Sequence, residues 1–125
     1  LELLARSVKD VLADTHSRGL LSHIVSQEKK SSLGFYMSFL DGMRKLLCAE
    51  LTEASKVFWD NGDWSLLQRA IMKCREKNET IAATLQKLSQ RLDQGESPEK
   101  VRRWAEKNVL APLGLQAPVR EEEAT

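Results

Sequence analysis

The sequence predicts an all-α fold, a single helical bundle of four to five helices built on a long antiparallel helical hairpin. Three observations carry this. Apolar residues recur three and four apart along most of the chain, the period of an amphipathic helix. Only 6 Gly and 3 Pro punctuate 125 residues, too few turn signals for a β-sandwich. The composition, 42% hydrophobic and 30% charged, is too apolar for disorder and too charged for a membrane protein.

The first helix is set by Leu1, Leu4, Val8, Val11 and Leu12, which form one stripe, with Glu2, Arg6, Lys9 and Asp10 elsewhere on its surface. Asp14-Thr15-His16-Ser17-Arg18-Gly19 interrupts the pattern. Leu20, Leu21, Ile24 and Val25 then fill a second, shorter helix. Ser31 or Ser32 is expected to cap the third, because a serine oxygen accepts from the free N–H groups of a first turn.

Tyr36, Leu40, Met43, Leu47, Leu51, Ala54 and Phe58 continue the helical period, so the third helix is expected to run over 33–59. At ~1.5 Å per residue it would be roughly 40 Å long. Phe35, Phe39, Leu46 and Val57 widen its stripe toward neighbours on two sides. Gly34 and Gly42 are weak points within it, each costing about 1 kcal/mol relative to Ala.

Asp60-Asn61-Gly62-Asp63 is the clearest turn, since Asn and Gly take left-handed conformations cheaply and Asp63 can cap the next helix. So short a connection between long helices predicts an antiparallel hairpin. The fourth helix then carries a heptad seam over 63–93, made of Leu67, Ile71, Cys74, Asn78, Ile81, Leu85, Leu88 and Leu92. Ser97-Pro98-Glu99 starts a short fifth helix, with Pro98 at its first position and Val101, Trp104, Ala105 and Val109 or Leu110 on its apolar face. Leu47, Leu51, Ile71, Leu85 and Leu88 are the expected core. Residues 1–111 form the expected bundle domain. Residues 112–125, with Pro112, Gly114, Pro118 and the acidic Glu121 to Glu123, are read as a flexible acidic tail or linker.

Charge and cysteine content narrow the function classes. With 19 Lys+Arg against 18 Asp+Glu, the chain lacks the strong positive balance of a dedicated nucleic-acid binder. Cys48 and Cys74 each fall inside an apolar helical pattern and read as isolated, buried, reduced thiols, which points to a cytoplasmic or nuclear compartment. No apolar run reaches the ~18–20 residues of a membrane span. A start at Leu1, in mid-pattern, leads to the expectation of a fragment from a longer polypeptide.

No catalytic, metal or cofactor site is expected. His16, His23, Cys48 and Cys74 show no finger-like spacing, no glycine-rich phosphate loop is present, and no serine sits in a strand–turn–helix elbow. The core-facing positions of Cys48 and Cys74 lead to the expectation that both thiols stay protonated and inert. Asn78-Glu79-Thr80 matches the N-glycosylation triplet, but it falls in a helix interior. Asn78 in the apolar seam either fixes register by demanding a hydrogen-bonding partner or lies half exposed where the seam curves away. The second is the expectation.

The stretch Phe58-Trp59-Asp60-Asn61-Gly62-Asp63-Trp64 resembles a motif of the Bcl-type apoptosis regulators, a tryptophan, a polar turn with glycine and a second tryptophan. The resemblance spans these seven residues, without a match to that family's other segments. What is left is an interaction module, a non-enzymatic adaptor or scaffold domain that binds a partner helix or peptide with acidic and hydrophobic residues. Phe58 and Trp59 beside the row Arg69, Lys73 and Lys77 are the expected partner contacts, the aromatics as anchors and the cations steering encounter. The alternative is a nucleic-acid-binding domain using Arg69, Lys73, Arg75, Lys77, Arg102 and Arg103.

Overall fold

The computed structural model describes residues 2–114. The fold is all-α, as the periodicity predicts, with no strand among the described residues. The elements are α1 (Glu2–Thr15), α2 (Leu20–Ser26), α3 (Lys30–Ser38), α4 (Gly42–Leu47), α5 (Ala49–Asn61), α6 (Trp64–Asp93) and α7 (Pro98–Ala105). A π-helical turn, Glu106–Leu110, and a 3-10 turn, Ala111–Leu113, continue from α7. Most of the expected tail, 115–125, lies outside the described residues. The chain forms two compact units, Leu1–Ala82 and Ala83–Thr125, whose boundary falls within α6.

In the first unit, α5 and α6 form the expected antiparallel hairpin. Phe58 meets Trp64 next to the turn, with ring centroids 4.5 Å apart, and Cys48 meets Cys74 further along. Gly62, at φ 70, closes α5 by donating its N–H to the Phe58 carbonyl at 2.7 Å. Asp63 caps α6, its Oδ1 accepting from the Ser65 N–H at 3.0 Å.

The single third helix expected over 33–59 is instead three helices. The first break follows Ser38, whose Oγ donates to the Phe35 carbonyl at 2.7 Å and competes with the helical ladder. Asp41 is then extended, and Gly42 takes a left-handed φ of 56 that a residue with a Cβ rarely adopts. The second break is at Cys48 (φ −115, ψ 34), where the Leu51 N–H bonds the Cys48 carbonyl at 3.0 Å and leaves that of Leu47 without this helical bond. Apolar spacing runs through both breaks because the helices on either side bury residues toward one core. The cap of α3 is also corrected: Lys29 holds the N-cap position, and Ser31 and Ser32 lie inside the helix.

Leu47, Leu51, Ile71 and Leu88 are buried, as expected. Leu85 is only partly buried, against the second unit's small core of Leu88, Val101 and Ala105. The half-exposed reading of Asn78 is overturned. Asn78 is 0% exposed, and its Nδ2 donates to the carbonyls of Leu47 at 3.1 Å and Cys74 at 2.8 Å. The two cysteines are buried and free, but they are not isolated, since their sulfurs stand 3.1 Å apart.

Candidate functional site

Helix α3 is nine residues long and fully buries only Leu33. Phe35, four residues before Phe39, therefore shares a face with it that the core does not use. The two rings stack at 5.7 Å between centroids and are 69% and 64% exposed. They border a groove of about 570 Å³, with Leu20 and Ile24 of α2, Tyr36 of α3, and Leu40 completing its apolar lining.

Two polar interactions hold this wall. The Tyr36 hydroxyl donates to Asp14 Oδ2 at 2.8 Å and ties α3 to α1. Burial first, and then the Asp14 carboxylate, push the Tyr36 pKa far above the ordinary phenol value, so the hydroxyl stays protonated. Arg44 Nη2 donates to the Phe39 carbonyl at 3.1 Å, fixing the turn between α3 and α4 and placing a guanidinium in the groove lining.

The residues singled out in the sequence are only partly brought together. Phe58 is 1% exposed, packed between Trp59 and Trp64, so its ring is part of the core and not of the surface. Trp59 is exposed, its ring lying against Gly34 with Lys30 Nζ 5.5 Å from the ring centroid. Arg69 and Lys73 are exposed and line a second groove of about 500 Å³ between α5 and α6, which Trp59 does not line. Lys77 is not a free cation, because it pairs with Glu50 at 2.8 Å. Glu50 and Glu53 line the same groove, so this face carries both signs of charge.

Other cations of the nucleic-acid alternative are similarly engaged. Arg75 donates to the Leu12 carbonyl at 3.0 Å and lies 3.9 Å from Glu79. Arg102 pairs with Glu99 at 2.8 Å and Glu106 at 2.7 Å, and Arg103 pairs with Glu99 at 3.3 Å. A cation already matched to a carboxylate has less to gain from a phosphate.

The model of the C-terminal domain of DUF6866, a family of unknown function, matches residues 1–108. The chain belongs to this family. Neither the curated proteins nor the solved structures contain a match to it.

For this DUF6866 C-terminal domain, no three His, Cys, Asp or Glu side chains are grouped to hold a metal ion among the described residues. His16 instead accepts the Arg18 N–H at Nδ1, 3.1 Å, within its own turn. No described helix is long and apolar enough to cross a membrane. The Phe35–Phe39 face was missed in the sequence because an unbroken helix over 33–59 would have set both rings against neighbours. The signal that could have found it is Asp41-Gly42, a helix-stopping pair directly after Leu40.

Proposed function

We propose that this domain is a non-enzymatic interaction module, an adaptor or scaffold element that docks an amphipathic helical segment of a partner protein in the α2–α3–α4 groove. The observation that carries this is the stacked, outward-facing pair Phe35 and Phe39 beside an apolar groove. Exposing two adjacent phenylalanines to water is unfavourable, and clustered exposed aromatics in monomeric proteins commonly mark interaction surfaces. A helix laid in such a groove would bury them through hydrophobic side chains one turn apart.

Charge sets the rest of the partner's chemistry. The groove lining holds one cation, Arg44, and one acid, Asp14, the latter engaged by Tyr36. Over 28–45 the cations Lys29, Lys30, Arg44 and Lys45 outnumber the acids Glu28 and Asp41. Acidic residues flanking the partner's apolar face would therefore speed encounter and fix orientation. This keeps the partner class expected from the sequence but moves its contacts away from Phe58. The two free thiols suit a reducing compartment, the cytoplasm or the nucleus.

The test is selection from a displayed library of amphipathic helical peptides against the wild-type domain and a Phe35→Ser/Phe39→Ser variant. Enrichment of peptides with an acidic-flanked hydrophobic face on the wild type alone is the expected result. Equal enrichment on both proteins would move the site elsewhere. Concentration-dependent dimerisation lost in the same variant would replace the partner helix with a second copy of the chain.

A further inference from the structure

The hydrophobic core of the first unit contains a feature that packing alone does not require. Cys48 lies at the junction of α4 and α5 and Cys74 in the middle of α6, 26 residues apart in sequence, yet their sulfurs share a hydrogen bond at 3.1 Å. Cys74 Sγ is also 3.4 Å from the Leu47 carbonyl oxygen and 3.6 Å from Asn78 Nδ2. These contacts make a polar cluster within the core, in which the two thiols face each other.

We infer that Cys48 and Cys74 are an intramolecular redox pair, which a hydroperoxide converts to a disulfide joining the α4–α5 junction to α6. The sulfurs stand about an ångström further apart than a covalent S–S bond of ~2.05 Å, so a small approach closes it. The pair also divides the labour of a dithiol. The hydrogen bond shared with Cys48 draws the Cys74 thiol below its ordinary pKa, with Lys77 and the Asn78 amide acting in the same direction against burial and Glu50. That same hydrogen bond, together with burial, pushes Cys48 up, which makes Cys74 the readier nucleophile of the two.

The chemistry balances. The Cys74 thiolate attacks one oxygen of the hydroperoxide, forming an S–O bond and breaking the O–O bond. The leaving alkoxide (hydroxide from hydrogen peroxide) takes up the proton that Cys74 released and departs as an alcohol or water. Cys48 sulfur then attacks the Cys74 sulfenic acid, the S–S bond forms and the S–O bond breaks. The departing hydroxide takes the Cys48 proton and leaves as water. Two thiols lose two electrons in total, and the peroxide gains them. A dithiol reductant reverses the net oxidation by thiol–disulfide exchange.

The test uses the whole chain exposed to hydrogen peroxide, followed by unfolding, maleimide labelling and mass spectrometry. The inference predicts a monomer lighter by two hydrogen masses, with neither cysteine labelled, and full labelling after dithiothreitol. The oxidised chain should also melt at a higher temperature than the reduced chain. In Cys48→Ser, the lone Cys74 should instead form a sulfenic acid that dimedone captures. Two cysteines still labelled after peroxide treatment of the wild type, or disulfides found only between chains, would overturn the inference. Both readouts use the wild type, so a variant that does not fold leaves the test intact.

Discussion

The Asn78 side chain donates its Nδ2 hydrogen to the main-chain carbonyl of Leu47 across 3.1 Å of buried space. In a continuous helix that carbonyl would accept from the Leu51 N–H, but the break at Cys48 redirects Leu51 to the Cys48 carbonyl. The polar residue in the heptad seam and the interruption of the predicted long helix are thus two halves of one arrangement. A buried carbonyl without a partner is costly, and Asn78 supplies a stronger donor than the Cys74 thiol 3.4 Å away, at the expense of its own Oδ1, which is buried without a hydrogen-bond partner.

Replacing Asn78 with Leu should therefore destabilise the domain although it makes the seam uniformly apolar. The loss expected is about 1 kcal/mol, because the Leu47 carbonyl is left with only the weaker Cys74 thiol while the unpaired Asn78 Oδ1 is removed. Urea unfolding of Asn78→Leu measures it directly. A gain in stability would show that the Leu47 carbonyl needs no side-chain donor.

Gly19 joins α1 to α2 with no backbone strain, at φ −78, but with no room for a side chain. A Cβ there would stand 2.5 Å from the Asp14 carbonyl oxygen and closer still to that of Ala13. Both obstacles are backbone, so Gly19→Ala should cost about 1–3 kcal/mol, as overpacking does. By contrast, Gly34 lies inside α3 with its nearest would-be contact at 3.8 Å, in the Trp59 ring, so Gly34→Ala should stabilise the domain by about 1 kcal/mol. Thermal melts of the two variants side by side decide the point.

In the second unit, Leu88 is buried while Leu85 is only partly so. Leu88→Ala should cost about 2–5 kcal/mol, and Leu85→Ala less than about 2 kcal/mol, because a half-exposed site leaves little cavity. Equal losses in chemical denaturation would mean that Leu85 is as enclosed as its neighbour.

The stability of the exposed ion pairs should depend on pH in one direction. Hydrogen bonds from Arg91 to Glu96, and from Arg102 and Arg103 to Glu99, hold both carboxyls below their ordinary pKa. Their contribution is therefore present above the unfolded carboxylate range of about 4.3 and is lost as pH falls through the lower folded values. Circular dichroism melts should show a midpoint steady near neutrality that declines in acid. Glu96→Gln should lower the midpoint at neutral pH and flatten the decline.

Much of this architecture was legible because helical periodicity, caps and turns are local signals. The Asn61-Gly62-Asp63 turn, the start of α7 at Pro98 and the seam of α6 as far as Leu88 all arise from residues close in sequence, whereas Leu92 is 41% exposed. The breaks at 39–41 and at Cys48 were not, since the spacing of apolar residues continues across them. That error hid three further features: the partner of Asn78, the meeting of Cys48 with Cys74, and the outward face of Phe35 and Phe39. Lys77 shows the same limit from the charged side, because its pairing with Glu50 depends on the hairpin register.

The most direct test of the proposed docking groove is the affinity of one selected acidic amphipathic peptide for three proteins: wild type, Phe35→Ala/Phe39→Ala and Arg69→Glu/Lys73→Glu. Fluorescence polarisation gives the three dissociation constants, and circular dichroism checks that each protein is folded. The expected result is at least a tenfold loss, about 1.4 kcal/mol, for the phenylalanine pair and little change for the reversed cations of the α5–α6 groove. Full affinity in the phenylalanine variant, with binding lost in the charge-reversed one, would contradict the account and place the contact on α6.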